Sequence, residues 1–139
     1  MRFVQCLAAT LVLLVAPWPA TAAGDGRVDV TISHTGTDGL GKRLAASLAT
    51  ELGASRRLKL VKESHERIGL YLATMHHEGT TIYSATWTFG GIADDGYLTS
   101  KVGACDADAI RACVRRLLAE TDKHAGVLAA VKATQGGAR

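Results

Sequence analysis

The chain has 139 residues, 47% of them hydrophobic and 21% charged, with a formal net charge of +3. So small and scattered a basic excess argues against nucleic-acid binding, and the length argues for a single domain. Past the first 23 residues, no stretch approaches the roughly 20 apolar residues that a membrane-crossing helix needs.

Residues 1–23 read as a removable leader. Arg2 is a short basic start, residues 7–16 (LAATLVLLVA) are largely apolar, and Pro17 and Pro19 end the run. Ala20-Thr21-Ala22 then offers small residues for cleavage near Ala22 or Ala23. Cys6 precedes the apolar run and is badly placed to carry a lipid at the cleavage point. The expectation is a soluble protein, periplasmic or secreted, with one α+β domain over residues 24–139. Loss of Arg2 leaves 15 of the 16 basic residues against 13 acidic ones, a net of +2. Of the three cysteines, Cys105 and Cys113 remain. An even pair in an exported chain reads as a disulfide.

Residues 27–34 (RVDVTISH) alternate, with Val28, Val30 and Ile32 on one side and Asp29, Thr31 and Ser33 on the other. That is a strand with one buried face. Asp38 is placed to cap a helix over 39–53, whose Leu40, Leu44, Leu48 and Leu52 form an apolar stripe beside Ala45 and Ala49. Gly53 stops it. Residues 57–62 (RLKLVK) are a short second strand. Residues 68–76 and 80–89 form a hairpin around His77-Glu78-Gly79, and 97–105 a fifth strand. Asp106 or Asp108 caps a second helix, whose stripe is Ile110, Cys113, Val114, Leu117 and Leu118. Gly126 is expected to interrupt it, leaving a short helix and a frayed tail over 125–139.

The order β-α-β-β-β-β-α is satisfied by a two-layer sandwich, a five-stranded mixed sheet with both helices on one face. The first and second strands are parallel across a helical crossover, and the later strands antiparallel. Linker 63–67 leaves open whether strand 3 pairs with strand 1 or strand 2; placing strand 1 in the middle gives the order 2-1-3-4-5.

Residues 36–43 (GTDGLGKR) fit a phosphate loop at Gly36, Gly41 and Lys42, but Arg43 stands where Ser or Thr would hold Mg²⁺. The stretch reads as a plain strand-to-helix connection, with a weak anion site at Gly39, Gly41 and Lys42 as its functional alternative. His76 and His77 are strand neighbours that face opposite ways. His34, His65 and Glu66 would meet at one sheet edge if strand 3 ran antiparallel to strand 1, which makes them the weak metal candidates. No cofactor and no catalytic residue is expected: there is no G-x-S-x-G elbow, and Asp94-Asp95 reads as turn chemistry.

Every aromatic residue beyond the leader lies between 71 and 97: Tyr71, Tyr83, Trp87, Phe89 and Tyr97. Either the strand-4 aromatics lie under the helices, or the group forms an interaction surface on the helix-free sheet face.

A strand, the helix GLGKRLAASLATELGAS, the strand RLKLV and the hairpin IGLYLATMHHEGTTIYSATWTF together resemble the small α/β domain of bacterial envelope proteins. Examples are the TolB amino-terminal domain, the curli secretion protein and the lipoprotein activators of penicillin-binding proteins. The resemblance covers about residues 28–89 and implies a protein-interaction module rather than an enzyme. The chain lacks their lipobox, their propeller and the longer connection before strand 3, and no functional residue carries over. The ending YLTSKVGACDADAIRACVRRLLAETDKH also resembles small uncharacterised exported proteins of proteobacteria. The expected partner is another envelope protein, met through the open face (Asp29, Thr31 and Ser33 included) or an edge at strand 2 or 5. A homodimer is one alternative. The other is a small-ligand binder, metal binder or enzyme with its site near residues 36–41, His34 and His65.

Overall fold

A computed structural model describes residues 25–90 and 95–136; the leader and Asp94 lie outside them. Five strands and two helices follow in the order β1 (Val28–Thr35), α1 (Gly39–Ala54), β2 (Leu58–Leu60), β3 (Arg67–His77), β4 (Thr80–Gly90), β5 (Asp95–Cys105) and α2 (Ile110–Gly136). The fold is α+β, with a single mixed sheet ordered β2-β1-β3-β4-β5. Among the described residues no helix is long and apolar enough to cross a membrane.

Alternation decides which face the helices cover. Val30, Ile68, Leu70, Leu72, Tyr83, Ala85 and Trp87 are buried on one side. Leu44, Leu48 and Leu52 of α1 and Ile110, Val114 and Leu117 of α2 close over them. Lys42, Arg43, Arg111, Arg115 and Arg116 ride the outer faces of the two helices. Trp87 anchors the layer: its Nε1 donates to Thr121 Oγ1 at 2.9 Å, and that hydroxyl donates to the Leu117 carbonyl at 2.8 Å.

The β3–β4 hairpin turns on Glu78 and Gly79, with φ of 47° and 84°. Two successive positive φ values match the right-handed twist of the strands that flank them. Strand β4 is antiparallel to both of its neighbours, β3 and β5. Both neighbours of β1 run parallel to it. Only six residues connect β2 to β3, which suffices because β2 is short. Leu60 sits level with Val30, and so does Ile68 at the start of β3. The chain therefore crosses β1 without running back along it. Lys62, Glu63, Ser64 and His65 stand beside Thr31, Ser33 and Tyr71, so this crossing lies on the helix-free side.

Two expectations about α2 need correction. Its first turn begins after Ala109, whose carbonyl accepts from Cys113 N at 3.0 Å. Asp106 is not used as a cap, because its carboxylate accepts the Thr80 hydroxyl instead. Gly126 does not interrupt the helix. An interior glycine costs only about 1 kcal/mol, and packing outweighs it here: Ala125 is buried, Leu128 is partly buried, and Lys132 forms an ion pair with Glu66.

Cys105 and Cys113 form a disulfide, with Cα atoms 6.2 Å apart. It joins the end of β5 to the first turn of α2. A second tie, Lys101 Nζ to Glu120 at 2.7 Å, holds the middle of β5 to the same helix. For a loop this short, replacing both cysteines by serine is expected to cost about 2–3 kcal/mol. Urea unfolding should show the loss as a midpoint lowered by about 1–2 M.

Candidate functional site

The glycine-bearing connection between β1 and α1 is built around one carboxylate. Asp38 accepts hydrogen bonds from the Gly41 N–H, the Thr74 hydroxyl and the Thr81 hydroxyl, each at 2.7 Å. Burial raises its pKa, but the Thr81, Thr74 and Gly41 bonds outweigh it and bring the group down to about 2. The Thr74 hydroxyl hydrogen is directed at Asp38, so His34 Nε2, 2.9 Å away, is the donor to Thr74 Oγ1. The glycines make room for this knot. A Cβ on Gly36, whose φ is +147°, would stand 2.6 Å from the Thr74 carbonyl oxygen, and one on Gly41 would stand 2.6 Å from Asp38 Oδ1.

The resemblance to a phosphate loop thus has a structural cause. The protein's own anion caps the helix N-terminus, which favours the plain strand-to-helix connection; an anion at the alternative site of Gly39, Gly41 and Lys42 would have to sit beside the Asp38 carboxylate. With its pKa lowered to about 2, the Asp38 carboxylate is ionised at neutral pH and is a standing acceptor for the Thr74 and Thr81 hydroxyls.

The metal candidates separate. Because β3 is parallel to β1, His34 lies beside Leu72. His65 precedes the opposite end of the sheet, and Glu66 pairs with Lys132. His76 and His77 sit at the exposed hairpin tip.

The expected aromatic surface divides in two. Tyr83 and Trp87 are only 3% and 0% exposed under the helices, and Phe89 is partly buried on that same side. Tyr83 and Trp87 are corrected to core, and Phe89 lies at the margin of the helix-covered side, where it borders a hollow with Leu98, Val127 and Val131. The bulk of the three aromatics belongs on the apolar face of β4, where Ser84, Thr86 and Thr88 could not serve. Tyr71 and Tyr97 point the other way and are exposed. Two aliphatic residues join them: Met75 is 61% and Val102 76% exposed. Cross-strand register places Tyr71 beside Thr86, Met75 beside Ile82 and Val102 beside Ser84. The result is an uncovered strip across β3, β4 and β5, apolar and hydroxyl-bearing, and Ala73, Met75, Ile82, Ser84, Thr86 and Val102 on it carry no ionisable group. The strip ends at β5, which among the described residues has no strand along its outer edge.

Charge gathers at the other end of the same face. Arg67 bonds both Asp95 oxygens, at 3.0 and 3.1 Å, and the Tyr71 hydroxyl donates to Asp95 at 3.3 Å. Lys62, Glu63, Ser64, His65, Thr31 and Ser33 border a cleft of about 600 Å³ under the β2–β3 crossing.

No protein-family model matches the chain, and no curated protein matches it. Among solved structures, an uncharacterized protein matches with 10% identity, over 75% of this chain and 90% of its own, at a TM-score of 0.37. The rare lipoprotein B from Shewanella oneidensis matches with 13% identity, over 76% and 96%, at a TM-score of 0.28. Likeness at this level carries no functional argument, so the residues must.

Proposed function

We propose that this chain is an exported, disulfide-bonded interaction module of the bacterial envelope. It docks another envelope protein on the helix-free face of its sheet. The observation that carries this is the uncovered strip with Tyr71, Met75, Tyr97 and Val102 exposed on it. Contiguous apolar surface with a polar surround is characteristic of a protein-binding site. The leader-like amino terminus, the Cys105–Cys113 bridge and the resemblance to small envelope domains support the compartment.

The test is photo-crosslinking in intact cells from Tyr97 or Val102, with Arg115 on the outer face of α2 as control. A discrete adduct is expected from the sheet positions and none from Arg115. With the crosslinker at Val102, Tyr97→Ala combined with Met75→Asp should lower the yield at least tenfold. Equal labelling from both faces would sink the proposal.

A second reading is favoured by the cleft beside His65 and Lys62, which is polar and large enough for a small ligand. It retains only the His65 part of the composite site expected near His34 and residues 36–41. A bound small molecule in protein purified from its own compartment, without any protein adduct, would select it.

A further inference from the structure

We propose that Met75 is an oxidation site that turns the docking strip from apolar to polar. The functional half of this rests on the reading of the strip given above; the chemical half does not. The sequence contains two methionines, Met1 at the start of the leader and Met75. Met75 stands on the helix-free face of β3 with 61% of its surface exposed. Its neighbours are mostly apolar: it pairs with Ile82 across the hairpin, and Ala73, Ile82, Val102 and the hydroxyl-bearing Ser84 border with it a shallow hollow of about 180 Å³.

The indole and the other sulfur atoms of the folded domain are shielded. Trp87 is 0% exposed, and Cys105 and Cys113 are joined to each other and buried. A peroxide diffusing to the domain therefore reaches the Met75 thioether first. The sulfur lone pair attacks one peroxide oxygen, the S–O bond forms and the O–O bond breaks. Sulfur loses two electrons, and the second oxygen leaves as hydroxide and takes up a proton to become water. The product is a sulfoxide, a strong hydrogen-bond acceptor. Ile82, Val102 and Ala73 have no side-chain donor to offer it, and Ser84 brings a single hydroxyl to the hollow, so a partner covering the strip must desolvate, at a cost, a dipole that the thioether did not carry. A methionine sulfoxide reductase reverses the step, delivering two electrons and two protons from its thiols and releasing water.

Purified protein treated with hydrogen peroxide and mapped by peptide mass spectrometry should gain one oxygen at Met75 before any gain at Trp87. The oxidised protein should elute earlier from a hydrophobic-interaction column, with an unchanged circular dichroism spectrum, because Met75 is outside the core. Met75→Leu should keep the late elution and be indifferent to peroxide. In cells, brief peroxide exposure should lower the adduct from Val102 about tenfold in the natural chain and not in Met75→Leu. Oxidation that begins at Trp87, or oxygen on Met75 with unchanged retention, overturns the proposal. Oxygen on Met75 and earlier elution with an undiminished adduct would instead count against docking through the strip, leaving the modification site in place.

Discussion

Trp87→Ala is expected to cost about 4 kcal/mol of folding stability. The indole is wholly buried between β4 and α2, with its ring centroid 5.8 Å from that of His124. Truncating a buried aromatic typically costs 3–5 kcal/mol, from lost transfer energy and the cavity left behind. Here the bond to Thr121 is lost as well. A domain of this size holds roughly 5–15 kcal/mol in all, so the variant should be close to unfolding at 37 °C. Its urea midpoint, followed by far-UV circular dichroism, should fall by about 2–3 M. Trp87→Phe keeps most of the volume but not the donor, and should cost about 1–2 kcal/mol. In the natural protein the indole emission should be blue-shifted and protected from acrylamide. An alanine variant as stable as the natural chain would return Trp87 to the surface.

Asp38→Ala should cost about 3 kcal/mol, lowering the melting temperature by about 15 °C. Loss of the cap accounts for about 1 kcal/mol. The rest comes from Thr74 and the fully buried Thr81, whose hydroxyls lose their common acceptor. The same carboxylate gives an acid signature. Its pKa is about 2 in the fold against an ordinary 3.8. The stability it contributes is therefore complete above pH 3.8 and is lost as pH falls from 3.8 toward 2. His124 acts at milder acidity: burial lowers its pKa, although Glu120 beside it pulls the other way. The fold prefers this imidazole neutral, so it loses stability as pH falls below the ordinary 6.5. Asp38→Ala should flatten the urea midpoint between pH 4 and 2 and leave the milder decline intact; His124→Gln should do the reverse.

Much of this architecture was legible because burial leaves a period in the sequence. Leu44, Leu48 and Leu52 are spaced for one helix face, and Val28, Val30 and Ile32 for one strand face. Asp38 has the side chain a cap requires, and the strand order 2-1-3-4-5, preferred where linker 63–67 left two pairings open, is the one observed. The direction of β3 was not legible. Parallel and antiparallel strands bury the same alternation, and the choice turned on β2 ending after Leu60, level with Val30. The candidate surface was obscured by one further feature. Tyr97 and Val102 are an odd number of residues apart, so simple alternation puts them on opposite faces. A bulge at Trp87/Thr88 shifts the β4–β5 register by one residue, and both then face outward, beside Thr88 and Ser84. Nothing in TWTF or YLTSKV announces that bulge. The phosphate-loop likeness misled for a related reason: the glycines answer to Thr74, which lies 38 positions past Gly36 in sequence.

The central place of β1 has a consequence for assembly. Its two neighbours come from residues 58–60 and 67–77, so a chain emerging amino terminus first holds its earliest strand unpartnered until β2 ends 25 residues past Thr35, and paired on one side only until β3 ends 42 residues past it. During that interval Val28, Val30 and Ile32 lie bare beside the newly formed stripe of α1, an adhesive surface with nothing yet to close it. The cysteines, eight positions apart, can find one another in the last stretch to emerge, whatever the state of the sheet. Oxidation can thus run ahead of docking, and the critical period for a holding chaperone lies in the first half of the chain.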